Sequence, residues 1–322
     1  MFRTYNGTSF HFPLVILSKW RLYRYFNFSC QSLCLLPCLL PCFLFSALNS
    51  LYGQVESYAL SSPEIIEVDA VSRDAFQQLD RGNYEEALIQ FNQLLESNPY
   101  YISALMGKAK CLFELGDYPQ AFDSYLKVVE RDETDVYALE GLGNSALYLY
   151  QFNRALNYYR QAISIYPENS TVYYSMAVAH LCQNDFERAS EYLKTAILIH
   201  NKNGLEAPYS LLLSYVCYAL TNSQSRTDEL LKYIKSFNFS QTDNWPIQIL
   251  SYIQGEIEST ALLASVVSRE QEIEAHTYIG FKLLFEGMKE RAEQHLDWVR
   301  SIKDYRSIET IIANNLTLEP KA

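Results

Sequence analysis

Apolar and small residues recur along this chain with a spacing of 34. One column reads Ala87, Ala121, Ala155 and Ala189. Three residues earlier stand Tyr84, Tyr118, Phe152 and Phe186, and four residues later Phe91, Tyr125, Tyr159 and Leu193. A further column holds only small residues, Ala75, Ala109, Gly143 and Ala177. Turn-forming residues split each unit in two, at Arg81-Gly82-Asn83, Leu115-Gly116-Asp117 and Gln183-Asn184-Asp185. Asn98-Pro99 and Tyr166-Pro167 separate one unit from the next, where a helix must stop. The pattern predicts two helices per unit, each of about a dozen residues and too short to stand alone in water. The small column lets the first helix approach the second, and the aromatic columns fill the space between units. Stacking then buries one continuous core.

The same reading extends past the regular units. Leu205–Leu220 and Thr227–Phe237 read as a degenerate helix pair, Asp243–Ser268 as another, and Asp304–Asn314 as a closing helix. The domain organisation expected is therefore a leader at 1–53, a linker at 54–67, four regular units over 68–201, and degenerate pairs with a last regular unit over 202–322. Only 11 Gly and 10 Pro in 322 residues argue against an all-β fold, which needs many turns. The fold class expected is all-α: a right-handed solenoid of about six or seven helix pairs.

Charge divides the leader from the body. The formal net charge is −11, yet the first fifty residues carry Arg3, Lys19, Arg21 and Arg24 and no acid. The remainder therefore holds 22 basic against 37 acidic residues, or −15. Such a body repels phosphate backbones, so nucleic acid is not expected as a partner. The apolar run Leu33–Leu48, behind basic residues and followed by Asn49 and Ser50, has the layout of a signal peptide. Pro37 and Pro41 weaken it as a spanning helix, and the run falls short of the ~20 residues a span requires. A cleaved signal peptide and a retained signal anchor are the two readings. The first makes the body exported, periplasmic or cell-envelope; the second anchors it to the membrane by this segment alone. Cys30, Cys34, Cys38 and Cys42 recur within the leader, but Pro37 and Pro41 precede the last two, so no lipidation site is present. Cys111, Cys182 and Cys217 are an odd set without CxxC spacing, expected as buried small apolar residues.

The small, aromatic, alanine and proline columns at this period resemble the tetratricopeptide (TPR) family, over four units and again in Ile273–Ser301, where Gly280, Gly287, Ala292 and Leu296 take the corresponding places. Trp245-Pro246 with Ile249, Leu250, Gly255 and Ile257, followed by Glu274-Ala275-His276-Thr277-Tyr278-Ile279-Gly280, is similar to secreted bacterial TPR proteins of the outer-membrane adaptor-lipoprotein type. That resemblance implies an envelope location and a non-catalytic scaffolding role, without the lipid anchor.

In such a superhelix the first helix of each unit lines the concave face. The inward positions are Phe76 and Leu79; Ser103, Met106, Lys110 and Phe113; Tyr137, Glu140, Asn144 and Leu147, with Tyr148 beside them; and Thr171, Tyr174, Val178 and Leu181. The candidate partner-binding groove is Phe76, Met106, Lys110, Phe113, Tyr137, Asn144, Tyr148, Tyr174 and Val178. Tyrosine suits it, offering a large contact area and a hydrogen-bonding tip at low entropy cost. The resemblance also sets aside one subtype, the carboxylate-clamping TPR domains, because Ser72, Phe76, Met106, Lys110 and Glu140 make no basic cluster. Partners expected are protein or peptide segments, neutral or basic, with apolar anchors.

Catalytic and cofactor motifs are absent: there is no HExxH, GxxxxGK[ST] or GxGxxG. No enzyme activity, cofactor or metal is expected. His180 falls in a helix-packing column. His276 and His295 lie on neighbouring helices and could approach each other, though a zinc site there would need acidic or cysteine company. Asn169-Ser170-Thr171, Asn238-Phe239-Ser240 and Asn315-Leu316-Thr317 fit the glycosylation pattern, which matters only in a eukaryotic secretory pathway. The function expected is an adaptor in the bacterial envelope that binds a peptide in an aromatic groove. The alternative is a membrane-anchored, cytoplasmic or stromal TPR assembly factor for a membrane complex.

Overall fold

The structure is a computed structural model that describes residues 63–236, 245–303 and 307–316. The leader, and the linker as far as residue 62, lie outside the described residues. Two units divide the chain, Met1–Ala70 and Val71–Ala322. The described residues of the first are the opening turns of helix α1 (Pro63–Arg81), which takes in the last residues of the expected linker. Among the described residues there are fifteen helices and no strand.

Successive antiparallel pairs build the second unit. They are α1 with α2 (Tyr84–Ser97), α3 (Ile102–Glu114) with α4 (Tyr118–Val129), α5 (Val136–Tyr148) with α6 (Phe152–Ile165), and α7 (Ser170–Cys182) with α8 (Phe186–Lys202). The degenerate pairs follow: α9 (Pro208–Leu220) with α10 (Gln224–Ser236), then α11 (Trp245–Gln254) with the short α12 (Ser259–Ala264). The last pair is α13 (Arg269–Phe285) with α14 (Lys289–Ser301), and α15 (Ile308–Asn315) closes the chain. The fold is the expected all-α solenoid of helix pairs.

Local chemistry sets the helix starts. Asp117, Asp135, Asn169 and Asp185 each accept a backbone N–H of the following turn, from Gln120, Ala138, Val172 and Arg188. Asn169 also donates from Nδ2 to Glu140 at 3.0 Å, so the first glycosylation pattern is engaged in capping and packing. The turn inside each of the first four units places one residue in left-handed backbone, and these residues lie 34 apart: Gly82 at φ +83°, Gly116 at +85°, Tyr150 at +60° and Asn184 at +57°. Glycine and asparagine adopt this conformation readily; a tyrosine does so under strain.

The small columns work by contact. Gly143 lies against the ring of Tyr159, and a Cβ there would stand 2.3 Å from it. A second column, unforeseen in the pattern, performs the same role between units. Gly107 faces Phe91 and Gly141 faces Tyr125, where a Cβ would meet the rings at 2.2 and 2.5 Å. Each aromatic thus seats on bare backbone of the next unit. Ala87, Ala121, Ala155 and Ala189 are all fully buried, as are Phe91 and Tyr159. Cys111, Cys182 and Cys217 are free, buried thiols.

Past the fourth unit the stacking changes. Helix α9 packs on α13 as well as on α10 and α11, so the last regular pair sits directly against the fifth. Glu274 of α13 ties this junction, accepting from Trp245 Nε1 at 2.6 Å and from the Tyr209 hydroxyl at 3.4 Å. The two halves of the second sequence resemblance, Trp245 and Glu274, are therefore one structural contact. Among the described residues no helix is long and apolar enough to cross a membrane.

Candidate functional site

The first helix of each unit carries the candidate groove, and the structure splits it into an open part and a closed part. On α1, α3 and α5 some of the inward side chains stay accessible. Ser103 and Lys110 are exposed, Phe76 and Met106 are partly buried, and Tyr137 is 75% exposed. The Phe76 ring meets Phe91 edge-on with centroids 5.0 Å apart, which fixes its orientation. The Ser72 and Tyr101 hydroxyls lie 3.4 Å apart between the first and second units. Glu114 and Glu140 add carboxyls to this strip, both partly buried. Burial holds the Glu140 carboxyl above its usual range, and the Asn169 amide partly offsets that.

The remaining groove positions are packed. Phe113, Asn144, Tyr148 and Val178, expected to face a partner, are buried instead. Phe113, Tyr118 and Tyr148 form an aromatic triangle, with centroids 5.3, 5.2 and 4.7 Å apart. Asn144 accepts from the Tyr159 hydroxyl at 2.7 Å within the core. Tyr174 is partly buried, and Leu79, Leu147 and Leu181 are core residues.

Phe113 and Asn144 are closed by these neighbours, and helix α15 closes the far end of the groove. It packs against α7, α13 and α14, and buries Glu309, Thr310, Ile311, Ile312 and Ala313. Burial drives the hydroxyls of Tyr148, Tyr174 and Tyr278 well above their ordinary pKa, and the Glu309 carboxyl pushes each further up. Glu309 is itself held above its ordinary value by burial, while a hydrogen bond from Ser307 at 2.8 Å works the other way. Three tyrosines of α5, α7 and α13 thus feel the charge of one carboxyl of the C-terminal helix. Arg300 of α14 secures that helix by donating from Nε to the Ala313 carbonyl at 2.9 Å. The sequence placed a helix here, but no periodic signal told which face it would cover.

Elsewhere, His180 is buried, stacked on Tyr192, with Nδ1 3.4 Å from the Asp185 carboxylate. It is a core histidine in a packing column. His276 and His295 do approach, with Nδ1 atoms 3.1 Å apart. A shallow hollow of about 350 Å³ lies at the turn of the third unit, lined by Tyr150, Phe152, Asn153, Arg154 and Gln183, away from the groove.

Two family models described as tetratricopeptide repeat match residues 78–136 and 146–210. The sequence matches no curated protein. Among solved structures, a tetratricopeptide repeat protein from Parabacteroides merdae is similar over 77% of this chain and 99% of its own, at 14% identity and a TM-score of 0.53. PilF of Pseudomonas aeruginosa is similar over 77% of this chain and 97% of its own, at 16% identity and a TM-score of 0.48. MamA of Desulfovibrio magneticus covers 55% of this chain and 97% of its own, at 19% identity and a TM-score of 0.49. At 14% identity the likeness to the Parabacteroides merdae protein is one of fold. The 34-residue columns, the stacked helix pairs that realise them and the two family matches agree: the chain belongs to the tetratricopeptide repeat family.

Proposed function

We propose that this protein is a non-catalytic interaction scaffold of the bacterial cell envelope, and that it binds a peptide segment of a partner on the open, N-terminal part of its concave face. The observation that supports this most is the division of the groove. Ser103, Met106, Lys110 and Tyr137 line consecutive first helices and remain accessible, while α15 covers the positions further along. Tyr137 offers an amphipathic ring with little of its surface used internally. Glu114 and Glu140 on the same strip, within a chain of net charge −11, favour a neutral or basic segment with an apolar anchor. Export rests on the leader, with its basic flank and apolar run Leu33–Leu48.

Isolating a partner from envelope extract on the immobilised protein, then titrating the purified partner against Tyr137→Ala and Met106→Ala, tests the reading. A loss of about 2 kcal/mol or more at Tyr137 is expected, since aromatic anchors dominate interface energy. Unchanged binding in both variants refutes the open-strip site. Mass spectrometry of the mature N-terminus tests export separately.

A further inference from the structure

His276 and His295 belong to neither the groove nor the repeat packing columns, yet their rings meet across the last helix pair. The Nδ1 atoms stand 3.1 Å apart and the ring centroids 4.9 Å. As free imidazoles they hold this contact when one Nδ1 carries a proton and the other accepts it. The separation has a second use. Metal–imidazole bonds are roughly 2.0–2.1 Å, so two nitrogens this far apart subtend an angle of about 100° at an ion placed between them. That angle lies between the square-planar and tetrahedral values. We propose that His276 and His295 form a two-histidine site for a divalent late-transition-metal ion, Cu(II) before Ni(II) or Zn(II), which replaces the shared proton while water completes the coordination.

The surroundings fit such a site. Trp298 stacks on the His276 ring with centroids 4.0 Å apart, fixing its plane, and Arg269 lies 4.8 Å over the Trp298 ring. The two backbones are held close because Gly280 of α13 faces Leu296 of α14, where a Cβ would stand 2.7 Å away. Both histidines are partly buried, so neither is sealed in the core. The charged groups facing the pair are Arg269 and Glu272 on α13 and Arg291 on α14. Burial lowers the pKa of both imidazoles, with His295 lowering His276 and Arg291 lowering His295, so both are neutral, the metal-binding form, at neutral pH. Glu272 is paired with Arg269 and remains outside the ligand set. Among the described residues no group of three or more His, Cys, Asp or Glu is placed to hold a metal. A structural zinc centre with four protein ligands is therefore not what this pair offers. With only two protein ligands, intrinsic affinity decides, and the order of divalent ions puts copper first.

The test is calorimetric titration of the full, chelator-dialysed chain with CuCl₂ and, separately, NiCl₂. One Cu(II) per pair is expected, bound more tightly than Ni(II). His276→Ala and His295→Ala should each weaken Cu(II) by more than about tenfold, since even outer-sphere changes cost about 10–100-fold. His11→Ala is the control for the imidazole of the leader and should bind as the parent does. Histidine ring NMR signals of the parent give a readout that needs no variant. Substoichiometric Cu(II) should broaden His276 and His295 and spare His180 and His200. Unweakened binding in either alanine variant, broadening centred on another histidine, or no heat at submillimolar copper overturns the proposal.

Discussion

The Tyr159 hydroxyl donates to Asn144 Oδ1 at 2.7 Å, joining the two helices of the third unit inside the core. This bond turns a groove position into a packing position. Asn144→Ala removes the carbonyl that accepts from this buried hydroxyl, and should cost about 1–3 kcal/mol. Partner binding should not change. Urea midpoints and binding titrations on the same preparation check both halves.

Gly107 gives a case where two effects compete. Alanine improves helix propensity by about 1 kcal/mol over glycine in a helix interior. Its Cβ, however, would lie 2.2 Å from the Phe91 ring. Overpacking of this kind costs about 1–3 kcal/mol, so Gly107→Ala should destabilise on balance. Ala121→Leu and Ala155→Leu should fall in the same range. Glu85→Leu, on an exposed face, should change stability by no more than about 0.5 kcal/mol. Chemical denaturation of the four variants side by side separates the packing columns from the surface.

Tyr150 holds the left-handed place that glycine or asparagine fills in the other three units. Left-handed backbone costs an ordinary residue about 1–2 kcal/mol, and glycine returns part of that through its freer unfolded chain. Tyr150→Gly should therefore raise stability by roughly 0.5–1 kcal/mol, and Tyr150→Asn should move in the same direction. A shifted thermal midpoint is the readout, and no gain in either variant would contradict the strain at this turn.

Tyr137 and Tyr174 have matching sequence roles on the inward face but different surroundings. Tyr137→Ala should weaken a partner without moving the unfolding midpoint. Tyr174→Ala should do the reverse, lowering stability by about 2–4 kcal/mol, because its ring sits among Tyr148, Tyr209, Glu274 and Glu309. Measuring both properties for both variants tests the division of the groove.

Glu309 predicts a pH dependence. Its folded pKa lies above the ordinary 4.5, chiefly through burial. A carboxyl raised in this way stabilises the fold fully below its unfolded pKa, and that contribution is lost as pH rises through the folded value. Docking of α15 should therefore weaken as pH climbs upward from about 4.5. Glu309→Gln should flatten this dependence and protect the amides of residues 308–315 at neutral pH. Hydrogen exchange of those amides across the pH range provides the measurement.

The repeat was legible because packing repeats it: the fully buried alanines and the aromatics against glycine recur with the chain's own period. Three of the four intra-unit turns were equally plain. Tyr150 was invisible, since a strained residue gives no composition signal. The groove was half legible. Position in the repeat puts Tyr174 and Val178 on the inward face, but it cannot say what packs against them. The answer depends on a docking partner far along the chain, whose single buried acid, Glu309, looks in sequence like any surface glutamate.

That docking also changes how the chain must fold. A solenoid is held by neighbouring contacts, so its units can open and close in sequence from either end. The contact of α15 with α7 joins residues distant in the chain, which adds loop-closure entropy and can form only after the fourth unit is in place. Units four and seven are thereby linked into one cooperative block, with the first two units outside it. Fraying should start at the N-terminal end, and that is the end where the groove is open.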